Sequence, residues 1–250
     1  MLEITTLEPA SGEPAISHIR EAFARGIHVV TANKGPISHA YAALRDEANT
    51  QQLQFRFEST CMDGAPVFNM ARNCLPGVKI NGFTGVLNST TKIVLAAMLD
   101  GKSMNEGIEE AQRLGVAEAD ASYDIDGWDS AAKAAALANV LLDAHVTPLD
   151  VDRKGIGNLT PEKLADLKSK GKAVALVSRG RRNEDGELKL RVRAEVLDAT
   201  DPLATMRGTS NLLLLHTDLM GTIGTVSLSP GVEQTAYGLF SDLVDIARSL

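Results

Sequence analysis

Residues 15–31 read Ala-Ile-Ser-His-Ile-Arg-Glu-Ala-Phe-Ala-Arg-Gly-Ile-His-Val-Val-Thr, and this stretch decides the fold class. Ile16, Ile19, Ala22 and Phe23 recur at three- and four-residue spacing, which predicts a helix over 15–25 with one apolar face. Gly26 follows as a residue able to take the left-handed conformation that closes such a helix. Residues 27–31 are too uniformly apolar for a half-exposed strand and predict one buried on both faces, as in parallel sheets. A strand-like run over 1–7 and the turn Glu-Pro-Ala-Ser-Gly-Glu-Pro over 8–14 precede them. The rhythm is β-α-β, the second half of a doubly wound fold.

Outward from this unit, the pattern predicts a helix over 37–49. An alternating strand over 53–58 follows, with Leu53, Phe55 and Phe57 on one side. Residues 66–73 read as helix, 78–87 as a strand interrupted by glycines, and 90–99 as an apolar helix. Ile108, Ala111 and Leu114 give a helix over 104–115 stopped by Gly115, and 128–144 shows the strongest helical pattern. Thr160-Pro-Glu-Lys163 starts another helix. Strands over 174–179 and 188–196 flank the charged turn 181–186 as a surface hairpin, and 212–217 pairs with 222–228 around Met220-Gly221. Gly231 opens a last helix through 246. The predicted class is α/β: a partial Rossmann-like doubly wound unit at 1–45, completed by 231–250, plus an α+β substrate and dimerisation domain at 46–230.

The 250 residues are 44% hydrophobic, enough for a buried core, and the net charge of −7 is spread along the chain. That charge argues against nucleic acid as a partner. The longest apolar runs, 134–142 and 212–215, fall short of the roughly 20 residues a membrane helix needs, so a soluble, cytoplasmic protein is expected. Cys61 and Cys74 have no second pair, which fits neither a zinc site nor a disulfide framework, and both are expected to be reduced. The histidines at 18, 28, 39, 145 and 216 have no ligand-like spacing.

Residues 118–133 read Glu-Ala-Asp-Ala-Ser-Tyr-Asp-Ile-Asp-Gly-Trp-Asp-Ser-Ala-Ala-Lys. Glu118, Asp120, Asp124, Asp126 and Asp129 crowd negative charge that repels itself unless a cation or an ammonium-bearing ligand shares it. Lys133, four residues after Asp129 and on the same helical face, is one such cation. Spacing alone also allows a plainer reading: Asp126 as N-cap, Asp129 as a first-turn acid, and Lys133 as its surface partner. Thr31-Ala-Asn-Lys34 falls at the carboxyl end of a predicted parallel strand, where doubly wound sheets place ligands. Asn88-Ser-Thr-Thr91 lies between a strand and a helix, where Asn88 or Ser89 caps the helix.

In order and spacing these three segments resemble the homoserine dehydrogenase family. The family motif Glu-x-Asp, then Asp-x-x-Gly-x-Asp-x-x-x-Lys, is matched at Glu118, Asp120, Asp124, Gly127, Asp129 and Lys133. The resemblance implies NAD- or NADP-dependent interconversion of L-homoserine and L-aspartate 4-semialdehyde, on the route to threonine and methionine. It also implies a homodimer formed by sheet pairing. It assigns Glu118 to the substrate ammonium, Asp124 and Asp129 to orienting substrate and lysine, and Thr90 to the substrate pocket. Lys133 becomes the proton donor to the aldehyde oxygen, and Lys34, beside Asn33, touches cofactor and substrate together. Gly231 and Thr235 occupy a segment where the family approaches its cofactor. Glu58, Cys61, Asp63 and Ala65 match positions that, through the glutamate and backbone carbonyls, hold a monovalent cation in some members. The sequence departs from the family at Ser89 and Lys92, within a segment that usually reads Asn-Gly-Thr-Thr-Asn. It departs again over 58–66, usually glycine-rich.

No Gly-x-Gly-x-x-Gly occurs in the chain, so the usual backbone cradle for a pyrophosphate is absent from the sequence. The resemblance starts midway through the family's nucleotide-binding domain, which leaves three expectations open. The chain is a shortened or engineered piece of such an enzyme, a chain completed by a separate polypeptide carrying the nucleotide-binding half, or a substrate-binding or dimerisation module without catalysis.

Overall fold

A computed structural model describes every residue except Glu184 and Leu250. Those two positions of the expected 181–186 turn and 231–250 segment lie outside the described residues. The first sheet is parallel and three-stranded, in the order β1 (Leu2–Glu3), β2 (Val29–Thr31), β3 (Phe55–Arg56). Leu2 pairs with Val30 and Val29 with Phe55. All three residues of β2 are buried, as its unbroken apolar run requires. Helix α1 (Ala15–Ala24) buries Ile16, Ile19, Ala22 and Phe23 against this sheet. It ends as Gly26 takes φ +70°, with the Gly26 and Ile27 N–H groups returning to the Phe23 and Ala22 carbonyls.

Helix α2 (Lys34–Thr50) begins three residues earlier than its apolar pattern indicated. The Asn33 side chain accepts the Gly35 N–H at 2.9 Å, and Pro36 falls in the first turn, where its missing donor costs nothing. The expected strand over 53–58 contracts to β3, because the chain turns at Glu58–Thr60. There the Glu58 carboxylate takes the N–H groups of Val67, Phe68 and Asn69 and so caps α3 (Phe68–Cys74). Phe57 packs edge-on to Phe68 and Tyr41 beneath this turn.

Next come β4 (Ile80–Val86), α4 (Ser89–Leu99), α5 (Met104–Arg113), the one-turn α6 (Ser122–Ile125) and α7 (Trp128–Leu141). The alanine-rich face of α7 is buried throughout and packs on α2. Near its end, the buried Asn139 amide donates to Ile37 O at 3.0 Å and Val146 O at 2.9 Å and accepts Val146 N–H at 3.0 Å. The N-cap of α7 is Gly127, at φ +82°, without a side-chain cap. Asp126 therefore does not cap this helix; the left-handed glycine makes the turn instead.

The second sheet contains β5 (Asp152–Lys154), β6 (Lys172–Arg182), β7 (Leu188–Asp198), β8 (Asn211–Thr217) and β9 (Thr222–Ser227), with β4 among them in the order β5-β7-β6-β4-β8-β9. All its pairings are antiparallel except β5 with β7. Helix α8 (Pro161–Ser169) lies against β6, and the short α9 (Pro202–Thr205) leads towards β8. Helix α10 (Val232–Ser249) returns to the parallel sheet. Its Asp242 accepts the Glu58 N–H at 2.8 Å and its Asp245 pairs with Arg56 at 2.8 Å. Among the described residues no helix is long and apolar enough to cross a membrane.

Candidate active site

Three helix starts converge on one carboxylate. Lys34 opens α2, Asn88 caps α4, and Asp129 and Lys133 lie on the first two turns of α7. Asp129 Oδ1 faces the Lys34 ammonium at 3.2 Å, and its Oδ2 faces Lys133 at 3.1 Å. The Asn88 amide donates to Asp129 Oδ2 at 3.0 Å and to Asp124 Oδ1 at 2.5 Å, while its own oxygen accepts the Thr91 N–H at 2.9 Å. Thr90 Oγ1 donates to the other Asp124 oxygen at 2.7 Å. Lys133 also donates to Leu87 O, at the end of β4, at 2.7 Å.

The plainer reading of Asp129 and Lys133 as a solvated helix pair does not hold, since their side chains are 14% and 17% exposed. Burial works to raise the Asp129 carboxyl, but Lys133 and Lys34 outweigh it and hold the group ionised well below the usual carboxylate range. Burial likewise opposes the charge on Lys133, and the attraction of Asp129 overcomes it and raises the ammonium above the ordinary lysine value. Asp124 is raised, by burial first and then by the like charge of Asp129, against the bonds from Thr90 and Asn88. The arrangement provides two ammonium groups around a fixed negative charge, with a second carboxyl poised to hold a proton more readily.

The segment at Lys34 is set by a buried network. Glu3 accepts the Thr31 hydroxyl at 2.7 Å and the Thr5 N–H at 2.8 Å, Thr31 Oγ1 accepts the Asn33 N–H, and Asn33 Nδ2 donates to Thr5 O. Lys34 thus leaves the carboxyl end of β2 in a fixed direction. Sequence reasoning missed Glu3, whose only signal is an acid within a short strand-like run, buried to 3% where its neighbour Leu2 is exposed.

Other expected residues make their hydrogen bonds with partners outside this cluster. The Glu118 side chain is exposed, and its backbone carbonyl accepts Gln112 Nε2 at 3.1 Å. Gly231 donates its N–H to Gln234 at 2.7 Å, and the Thr235 carbonyl accepts Ser59 Oγ at 2.8 Å where α10 meets the 58–60 turn. The side chains of the 58–65 stretch face protein partners: Glu58 caps α3, Asp63 accepts from Asn211 Nδ2 at 3.3 Å, and the Cys61 thiol is buried and pushed up to about 11. The Ala65 carbonyl accepts the Val67 N–H. Among the described residues no group of three or more His, Cys, Asp or Glu is placed to hold a metal ion. Beside the acid loop, Tyr123 stacks on Trp128, the Arg153 guanidinium lies 3.7 Å from the Trp128 ring centre, and the buried Tyr123 hydroxyl has no hydrogen-bond partner among the described residues.

Comparison with known proteins gives one consistent result. The family model described as homoserine dehydrogenase matches residues 66–244. The NAD(+)-dependent homoserine dehydrogenase of Pseudomonas canavaninivorans is 38% identical over 247 residues, covering 99% of this chain and 70% of that protein. The homoserine dehydrogenase of Methanocaldococcus jannaschii is 36% identical over 250 residues, covering 100% of this chain and 73% of that protein. Among solved structures, a homoserine dehydrogenase from Thiobacillus denitrificans superimposes with a TM-score of 0.89 at 30% identity, over 99% of this chain and 56% of that one.

Proposed function

This chain belongs to the homoserine dehydrogenase family, and on that premise we propose that its site interconverts L-homoserine and L-aspartate 4-semialdehyde with Lys133 as the acid–base group. The observation that carries the reading is the Asp129 carboxylate that holds Lys34 and Lys133 together. A bound nicotinamide, NAD or NADP, takes up or supplies the hydride. In reduction, the Lys133 ammonium gives its proton to the carbonyl oxygen as negative charge develops there, and solvent restores it; in oxidation it takes the hydroxyl proton. Asp129 keeps Lys133 oriented throughout. Lys34 faces the same oxygen-bearing end, and Asp124 with Thr90 lines the substrate side. The exposed, uncommitted Glu118 carboxylate is suited to the substrate ammonium.

The residues present fit the nicotinamide end of the cofactor, since Asn33 and Lys34 emerge at the carboxyl end of β2 beside Asp129. They do not include a pyrophosphate cradle, and we assign that part to polypeptide outside these 250 residues. The free edge of β1 supports this assignment: Leu2, Ile4 and Ile27 are exposed along a groove of about 430 Å³. The same reasoning assigns 1–45 with 231–250 to cofactor binding and 46–230 to substrate and dimerisation.

Site-directed variants test the reading. Lys133→Ala is expected to lose kcat by about 10²-fold or more with KM little changed, and Glu118→Gln to raise the homoserine KM far more than it lowers kcat. Full kcat in the first variant would refute the acid–base assignment; an unchanged KM in the second would refute the ammonium contact.

A further inference from the structure

Two positions at which the sequence departs from its family meet in the fold. Lys92, on α4, is 7% exposed, and its ammonium donates to Ser210 O at 2.6 Å and to Asn211 Oδ1 at 2.8 Å. Asn211 uses its other amide atom, Nδ2, to reach Asp63 Oδ2 at 3.3 Å. Asp63 sits at φ +57°, left-handed backbone that aspartate tolerates better than most side chains. A lysine of α4, an amide at the start of β8 and a carboxylate of the 61–65 loop therefore form one bridge.

The bridge ends beside the site. After burial, the charges that act most on Lys133 are Asp129 and then Asp63, with Cys61 of the same loop next. Lys92 in turn is held down to about 7, by burial first and then by the charge of Lys133, while Asp63 and Asp129 act the other way. A buried lysine without an acid, or a buried acid without a lysine, is costly, whereas the two together relieve each other. The Ser210 carbonyl and the Asn211 amide fix the geometry of that relief.

We propose that Lys92 and Asp63, joined through Asn211, are a positioning pair that holds the 61–65 loop beside Lys133. The pair acts through Lys133 and makes no contact with substrate in this role. It rests on the reading of Lys133 as the acid–base group for its consequence in turnover, though not for its existence.

Thermal unfolding of the full chain and of Lys92→Met, Asp63→Asn and the double variant tests the pair. Each single change is expected to lower the midpoint, and the double change to lower it by less than the sum; additive losses would overturn the pairing. Should Lys92→Met fail to accumulate, Lys92→Gln keeps a donor for Ser210 without the charge and completes the same cycle. NMR of the chain with ¹³C-labelled lysine then reads the Lys92 titration, identified by the signal missing from the Lys92 variant. Asp63→Asn is expected to move that midpoint down and Lys133→Met to move it up, each by about half a unit or more. A midpoint unmoved by both would reduce Lys92 to a strut under Ser210 and overturn the proposal. Neither readout requires turnover, so a failure of the Lys133 assignment, seen as full kcat in Lys133→Ala, is separate from a failure of the pair.

Discussion

Asp129 carries two ammonium groups and one amide on two oxygens, so its loss strands more charge than it removes. Removing one member of a buried ion pair costs about 3–5 kcal/mol. Asp129→Asn is accordingly expected to lower the urea midpoint and, with Lys133 unanchored, kcat as well; a midpoint within error of wild type would show the cluster to be solvated. Lys92 gives a second prediction, in pH. Its folded value of about 7 lies below the roughly 10.4 of an unfolded lysine. Between those values the unfolded chain holds the extra proton, so stability rises with pH from about 7 to 10. In Lys92→Met that rise should flatten when stability is followed by denaturant titration across this range. The Asp129–Lys133 pairing was legible at this scale, because a four-residue spacing on a helix admits little else. The bridging of Asn88 was not: a sequence shows the capping oxygen and gives no sign that the amide nitrogen of the same side chain reaches two aspartates across the site.

The longer helices could be read from periodicity, and α1, α5 and α7 lie where their apolar spacing puts them. Boundaries failed where a single side chain overrides the pattern. Asn33 starts α2 early, Glu58 ends β3 by capping α3 from nine or more residues away, and Gly127 displaces Asp126 at the start of α7. The elements β5, α6 and α9 are three or four residues long and carry no period to detect. One of them bears on the site: α6 contains Asp124, and Ile156 N–H donates to Ile125 O at 2.9 Å to hold it. Gly155 lies so close to Ile125 O and Asp126 that a Cβ there has no room. Gly155→Ala should therefore shift the Asp124 turn, lowering the thermal midpoint and weakening L-homoserine binding by calorimetry; unchanged binding would place Asp124 outside the substrate site.

Across the whole molecule, the parallel sheet and the larger mixed sheet are joined through α2 packed on α7, and the site lies where their helix starts meet. The doubly wound character was legible in residues 15–31, because a strand buried on both faces is a parallel-sheet habit. The joining of β4 between β6 and β8 was not, since no local pattern encodes pairing between strands so distant in the chain, as Gly85 with Ser178 and with Leu213. The mixed sheet has two unlike edges: β5 is short and charged, whereas β9 is longer and exposes Val226 with Leu228 beside it. Dimerisation through β9 is the consequent expectation, and Val226→Glu should shift light-scattering mass from dimer to monomer. The central claim, that these residues exchange hydrogen between L-homoserine and a nicotinamide, is tested most directly by the absorbance of reduced nicotinamide formed by the purified chain. The account predicts homoserine-dependent formation that needs cofactor at about 1 mM or above, for want of a pyrophosphate cradle, and that vanishes in Lys133→Ala. A folded chain whose rate equals that of Lys133→Ala at every cofactor concentration would contradict it.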